Sequence, residues 1–564
     1  MLHHSTCRIS GELFFIMDNK RLILAIAIAV VIFVTWNLIF APTPPPAAPQ
    51  EQETQTAQTD GTVPVVTPGV SETSAQPQTA TRRITVDHPL YIAEFDERGA
   101  MITSFKLKNY HETPDDGSPL RELLPPEFNL RQVGLHPVGA PANSWNNIVY
   151  SANVSDNNIS VTDKPLTITF TMTDQNGIKV DKCFTFNPEN YVVTFDTFIT
   201  NHAEAPWNNA LTFELEGINQ NAVKNQQLVA TTAAMFKGKL TNIKTRPKDF
   251  KQGTYTAEGH LDWIASQSRY FIMAMMPNVP TQATVTMTSE TENTHVTSMY
   301  TDKFELQPGD SKKITNLLYF GPKEIDTLKS AGHNLSKVVN FGFFDFLAKP
   351  FLWFMKQIYS VIPNYGVAII ILTLVIKIIL FPLGTKSYKS MSQMKRLQPL
   401  IKEIQEKHKD DKMRISQETM ALYKTYKVNP AKGCLPMIVQ IPVFFALYRM
   451  LYGAIELHHT PFIGWITDLS APDRLGASLF NFSIPFMEAP TGIPVLTLLM
   501  GASMFLQQKM APPMGDPAQR RIMMLMPIMF TVIFINFSSG LVLYWFTNNI
   551  FSILQQYYVQ KKYK

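Results

Sequence analysis

Apolar residues in this chain are segregated into membrane-length runs, and one of those runs carries a lysine. One such run lies within the first 340 residues and five lie beyond residue 364. The second run, GVAIIILTLVIKIILFPL at 366–383, has Lys377 as the twelfth of its eighteen residues. Its only polar neighbour is Thr373, one helical turn earlier on the same face. A cation at bilayer depth costs roughly 2.5–3.5 kcal/mol on insertion scales, so such a residue faces a bundle interior or a wet cavity. Lys377 is therefore the leading functional candidate. The competing reading is snorkelling. Leu383 lies about 9 Å further along a helix, and the lysine stem can reach toward the interface.

The first run, 22–41, follows Lys20 and Arg21 and is about 30 Å long as a helix, enough to cross a bilayer. It runs into APTPPPAAP, and proline after the candidate cleavage site favours an uncleaved anchor over a secretory signal. Residues 1–21 form the tail before it, with candidate starts at Met1 and Met17. Residues 42–83 are rich in Pro, Thr, Gln, Ala and Ser and are expected to be a disordered linker, because they cannot bury enough apolar surface to fold. The three cysteines, Cys7, Cys183 and Cys434, fall in three different regions. No disulfide framework or Cys/His metal spacing follows from them.

Residues 84–325 read as an all-β sandwich. RITVDHPLYIAEFD, LTITFTMTD, YVVTFDTFIT, ALTFELEG and ATVTMTS alternate apolar and polar residues and are rich in β-branched types. Asn176-Gly177 marks a hairpin between two of these runs. His88, His111, His136, His202, His260, His295 and His333 are scattered singly, without metal-ligand spacing, and read as surface or turn residues. No metal, cofactor or catalytic motif is expected here.

Residues 326–364 turn to helical periodicity, and FGFFDFLAKPFLWFMKQIYSVIPN interleaves aromatics with lysines, as interfacial helices do. Four more spans follow the one at 365–383, at 434–455, 492–509, 522–537 and 540–557. The last two are separated only by Ser538 and Ser539, which demands a tight antiparallel hairpin. The expected fold class is thus a polytopic α-helical membrane protein with six transmembrane helices and a large all-β domain. The 384–432 loop carries twelve Lys/Arg against five Asp/Glu, Arg520 and Arg521 lie in 510–521, and the tail 558–564 ends KKYK. Residues 456–491 carry Arg474 among Glu456, Asp468, Asp473 and Glu488. The positive-inside rule then puts both termini, 384–432 and 510–521 in the cytoplasm, and the β domain and 456–491 outside.

Within 384–432, Met391, Met394, Leu397, Leu400, Ile401 and Ile404 recur at helical spacing. Asp410-Asp411 interrupts the pattern, KMRISQETMALYKTYK resumes it, and Asn429-Pro430 ends it. This predicts a basic helical hairpin over 384–428, able to meet anionic lipid, a ribosome or nucleic acid. Its place between two spans argues against specific nucleic-acid recognition. Methionines are frequent in the membrane part, among them Met500, Met504, Met523, Met524, Met526 and Met529, and suit a surface that accepts varied apolar partners.

MDNKRLILAIAIAVVIFVTWN, the proline-rich linker, KRLQPLIKEIQEKHKDDKMRISQETMALYKTYKVNPAKGCLPMIVQIPVFFALYRML and SSGLVLYWFTNNIFSILQQ resemble the YidC/Oxa family of membrane protein insertases, in its six-span Gram-negative form. The resemblance covers the chain from Met17 onward and is most specific over 366–455 and 520–557. It implies a five-helix insertase core with a hydrophilic groove open to cytoplasm and lipid. It also implies a periplasmic sandwich resembling sugar mutarotases and insertion of inner-membrane proteins alone or with the Sec translocon. Nascent membrane proteins would be the clients, and the ribosome and membrane lipids further partners. The family's groove cation is usually arginine. The matching position here is Lys377, which keeps the charge but not the planar fork of donors. Thr373, Gln440, Tyr544 and Trp545 fall where the resemblance places other groove or substrate-contacting residues.

Two other classes fit parts of the pattern. A channel or secondary transporter would use Lys377 for coupling, but there is no repeat relating the halves and no second intramembrane charge of opposite sign. A membrane-anchored carbohydrate enzyme would need paired carboxylates in a cleft of the sandwich.

Overall fold

The computed structural model describes residues 81–562 except 141–143, 220–230, 244–253, 292, 409–410, 430, 477–486, 489 and 511–516. The tail 1–21, the anchor 22–41 and nearly all of the linker 42–83 lie outside the described residues. The chain falls into two units, each taken by itself. One holds Thr79–Arg396 with Val428–Lys564, and the other includes Leu397–Lys427.

The alternating segments form a β-sandwich. A five-stranded sheet carries Arg83–Asp87, Tyr91–Asp96 and Met101–His111 side by side, and it faces a thirteen-stranded sheet. Toward one edge of the larger sheet, Leu166–Thr173, Ile178–Phe186, Val192–Asn201 and Ser311–Pro322 run antiparallel in that order. Alternate residues of Tyr91–Asp96 and of Ile178–Phe186 are buried, as a strand's period of two requires. Phe95 from the small sheet meets Phe184 from the large one at 4.9 Å between ring centres, and Phe184 stacks on Phe195 at 4.8 Å. These rings tie the two layers together. The hairpin expected at Asn176-Gly177 is present. Thr173 pairs with Lys179, Gly177 adopts a φ of 81°, and the Asp174 carboxylate accepts from the amides of Asn176 and Ile178 at 2.9 Å each.

The strand register also buries polar groups that the sequence left on the surface. His88 and His295 are fully buried and His136 nearly so, which corrects the reading of His136 and His295 as surface or turn residues; His88 does lie in the turn between Asp87 and Tyr91. His88 Nε2 lies 2.8 Å from the Asn187 carbonyl, His295 Nδ1 3.1 Å from Asn219 Oδ1, and His136 Nε2 3.1 Å from Glu214 Oε1. Each is buried because a partner on a neighbouring strand or on the facing sheet satisfies it. Lys182 occupies an inward position of its strand. Its ammonium donates to the carbonyls of Gly99 at 2.7 Å and Val133 at 3.1 Å, and burial, then Arg131, pushes its pKa down to about 7.

Among the described residues eight α-helices follow the sandwich: α1 Ile325–Ser330, α2 Asp345–Val361, α3 Tyr365–Lys407, α4 Lys412–Thr425, α5 Ala431–Gly453, α6 Val495–Met510, α7 Pro517–Phe534 and α8 Ser539–Lys562. Helix α2 buries Ala348, Leu352 and Met355 on one face, while Phe346 and Trp353 stand exposed on another. Among the described residues, α3 is the one helix both long and apolar enough to cross a bilayer. The stretches Ile438–Gly453 and Met523–Phe534 are apolar but shorter. Helix α3 runs through the span boundary expected at 383. Pro382 and Gly384 lie within it, and it measures 43 residues from Tyr365 to Lys407, about 64 Å. The second arm of the basic hairpin is α4, whose N-terminus is capped by Asp411, accepting from the amides of Met413 and Arg414. His408 and Glu418, 3.0 Å apart, link the arms.

The sandwich is fastened to the loop after α5. Arg269 Nε donates to the Tyr452 carbonyl at 2.6 Å, and its guanidinium lies 3.6 Å from the centre of the Tyr452 ring. Lys356 bridges Asp326 at 2.7 Å, Glu324 at 3.1 Å and Glu456 at 3.8 Å. His458 stacks on Tyr270 at 4.5 Å, and neither of its buried ring nitrogens has a hydrogen-bond partner. Burial, together with His459, Arg121 and Arg269, pushes its pKa down to about 2. The docked state therefore holds His458 neutral. Its contribution is complete above the ordinary histidine pKa near 6.5 and is lost as pH falls below it. Docking should weaken by about fivefold between pH 6.5 and 5.5, as the protonated share of undocked His458 rises from about half to about nine-tenths. Hydrogen exchange at Arg269–Phe271 across that range is the measurement. Exchange should become independent of pH in His458→Phe.

Candidate functional site

Helices α3 and α8 run beside each other at close range. The position of a Cβ on Gly540 lies 3.4 Å from Ile369 Cδ1, and that of one on Gly384 lies 2.7 Å from Gln555 Nε2. The two contacts are fifteen residues apart on each helix, so Lys377 is level with Asn548. Its side chain nevertheless reaches one turn further, where Nζ donates to Ser552 Oγ at 2.7 Å. The lysine thus leans about 6 Å toward the Lys407 end of α3. Ser552 in turn donates to the Asn548 carbonyl at 2.7 Å, which leaves its oxygen to accept from the ammonium. Among the described residues Lys377 makes no ion pair with a carboxylate.

A second polar crossing lies one turn back on α8. Gln440 of α5 donates through Nε2 to Asn548 Oδ1 at 2.7 Å, and the Tyr544 hydroxyl hydrogen-bonds Gln440. Gln555 closes the line, donating to the Phe381 carbonyl at 2.9 Å and to Thr385 Oγ1 at 3.3 Å. On the adjacent face Asn549 donates to Ser503 of α6 at 3.0 Å. Polar groups within a helical bundle are tolerated when they find partners across helices, and here each does.

Three of the five residues singled out from sequence, Lys377, Gln440 and Tyr544, sit along this line on α8. Thr373 does not join it. Its hydroxyl turns back to the Ile369 carbonyl at 2.6 Å, and the side chain is buried. Trp545 points elsewhere, into an aromatic cluster with Phe444 at 4.7 Å and Phe534 at 5.1 Å. Asn548, Ser552 and Gln555 escaped the sequence reading. Their signal was the recurrence of Tyr544, Asn548, Ser552 and Gln555 every three or four residues in an otherwise apolar run.

The opposite end of the bundle is sealed by the loop between α5 and α6. Asp473 accepts from Trp465 Nε1 at 2.7 Å and from the Leu496 amide at the start of α6. Ser539 Oγ donates to the Asp468 carbonyl at 2.7 Å, and the Gly540 amide to that of Leu469 at 2.9 Å. In the sandwich, the nearest approach to a carboxylate pair is Glu214 and Glu216. Glu214 is engaged by His136 and Ser298, and Glu216 by the Arg131 amide. No group of His, Cys, Asp and Glu suited to a metal ion occurs among the described residues.

Known proteins match both halves of the chain. Residues 83–354 match the family described as YidC periplasmic domain, and residues 357–564 the family described as 60Kd inner membrane protein. A membrane protein insertase YidC from Syntrophus aciditrophicus (strain SB) is 39% identical over 97% of this chain and 100% of its own length. One from Syntrophobacter fumaroxidans is 37% identical over 96% of this chain and 100% of its own. A solved structure of an active YidC insertase aligns at 18% identity over 85% of this chain and 95% of its own, with a TM-score of 0.35. A β-rich domain joined to a helical inner-membrane region, matched over nearly its whole length by insertases, defines the class as membrane protein insertases. The chain belongs to the YidC family.

The Gln555 contact with α3 depends on Gly384. A side chain there would meet the amide end of Gln555 and turn it away from the Phe381 carbonyl. Gly384→Leu should break the Phe381–Gln555 contact and lower the thermal midpoint of the detergent-solubilised protein by a few degrees, a loss of about 1 kcal/mol for one hydrogen bond. Gln555→Ala should cost about as much, and adding Gly384→Leu to it should cost little more.

Proposed function

We propose that Lys377 and the polar line on α8 give the hydrophilic part of a client a path into the bilayer. The observation that carries this reading is an intramembrane ammonium held by a neutral hydroxyl. Lys377 keeps its charge uncompensated by any described carboxylate. A client's polar tail must cross hydrocarbon, where each unsatisfied backbone group costs several kcal/mol. Lys377, Gln440, Asn548 and Ser552 offer hydrogen-bonding partners part of the way, and the charge attracts acidic residues of the tail. Trp545 and the methionines of α7 offer an apolar flank for the client's own helix. Both termini and the basic hairpin are placed in the cytoplasm by the distribution of Lys and Arg, with six spans in all. The hairpin at 384–428 would then meet an arriving ribosome, and the Sec translocon would act beside the bundle for larger clients.

The charge is tested by substitution. Lys377→Arg should be tolerated, whereas Lys377→Ala or Lys377→Glu should slow insertion of an acidic-tailed client about tenfold, equivalent to roughly 1.4 kcal/mol. Protease protection of such a client in vesicles carrying each variant at matched levels reads this out. Equal protection by Lys377→Ala and the wild type would sink the proposal. The hairpin is tested separately. Shortening both arms should reduce insertion of a two-span client several-fold while the bundle still assembles.

A further inference from the structure

A cleft of about 400 Å³ opens beside Lys377, between α3 and α8, within the size range of ligand pockets. Its walls are apolar except for Lys377 and Gln555. Leu374, Ile378 and Phe381 form one lip, and Leu554 and Tyr558 the other. Ile378, Leu554 and Tyr558 are each more than half exposed, at 62%, 59% and 52%. Such lips suit hydrocarbon and not water. The single cation has the opposite need. Its one described partner is the Ser552 hydroxyl, while an ammonium has three donors. An inorganic anion would answer the charge and leave the lips bare. An uncharged lipid would cover the lips and leave the charge unanswered. Depth decides between a sunken and an ordinary headgroup. Because Lys377 leans one turn toward the Lys407 end of α3, its ammonium lies near the level of Phe381, about 3 Å short of Leu383 at the expected membrane boundary. A lipid phosphate needs to descend only that far.

We infer that this cleft binds one anionic phospholipid, with its phosphate on Lys377 Nζ and an acyl chain between the α3 and α8 lips. The lipid keeps the cation compensated in the resting protein, and a client displaces it. Only the displacement step rests on the function proposed above; the binding site does not.

The test uses the purified full chain, stripped of lipid in an uncharged detergent. It is titrated with phosphatidylglycerol, phosphatidylcholine or inorganic phosphate, and native mass spectrometry counts what is retained. One phosphatidylglycerol should be held at a concentration at least tenfold below that needed for phosphatidylcholine, and phosphate should not be held. Lys377→Ala should abolish the preference and Lys377→Arg should keep it. Leu554→Trp, which fills the cleft and spares the cation, should release the lipid, with Ile378→Trp as the alternative if that variant fails to fold. Equal retention of the two lipids by the wild type overturns the site. So does unchanged retention of phosphatidylglycerol by a folded cleft-filling variant, and retention of phosphate alone reassigns the site to a free ion. Insertion measured on the same variants separates the two proposals. If Lys377→Ala slows insertion without altering lipid preference, the lipid site fails and the insertion role stands. If it alters lipid preference without slowing insertion, the reverse holds.

Discussion

A lysine in the middle of an apolar helix sets a condition that the surrounding bundle has to meet. An ammonium at membrane depth is tolerated only with a polar partner or access to water. The structure supplies the partner from a helix 175 residues away in sequence, through Lys377 and Ser552. That contact requires α3 and α8 to come within side-chain reach of each other, and beside Gly384 the Gln555 amide fills the space between them. It also requires Ser552 to accept, which follows from its own donation to the Asn548 carbonyl. Gln440 and Gln555 extend the line in both directions, so one charged residue is accompanied by a ladder of neutral polar ones. Neutral partners leave the charge intact, and an intact charge can still attract an anion from outside the chain.

The far end of the bundle is organised by a different principle. There the loop between α5 and α6 caps helix ends with Asp468 and Asp473 and carries His458 against the sandwich. The attachment combines an arginine flat on a tyrosine ring, a lysine shared by three carboxylates and a neutral histidine between aromatic rings. Ordinary surface ion pairs contribute little. The buried His458 is more consequential, because its unpartnered nitrogens make this contact intolerant of protonation.

Much of this protein was legible in its sequence. Segregated apolar runs, a proline-rich gap and alternating β segments divide the chain into a strand-rich domain and a helical region, because periods of two and of 3.6 bury different faces. Asn176-Gly177 located a hairpin, since a tight turn needs a residue that tolerates positive φ, here Gly177. Lys377 stood out because charge inside an apolar run is costly in any fold. The resemblance to insertases rested on motifs near the start of the chain and in the helical region; one family match covers the helical region at 357–564 and the other the strand-rich domain at 83–354.

What sequence alone did not reveal are relations between distant residues. Thr373 looked like a companion to Lys377 because both share a helix face, yet its hydroxyl is satisfied by its own helix and the lysine reaches another. His136 and His295 looked like surface residues because their cross-strand partners, far away in sequence, become neighbours only through sheet register. The Phe381 carbonyl meets Gln555 of another helix beside Gly384, a pairing that no local pattern signals. The sequence by itself determined which segments are apolar, which alternate and where an isolated charge must be accommodated. The tertiary structure alone decided which partner meets that charge, because a hydrogen bond between helices depends on their register and separation, and local pattern encodes neither.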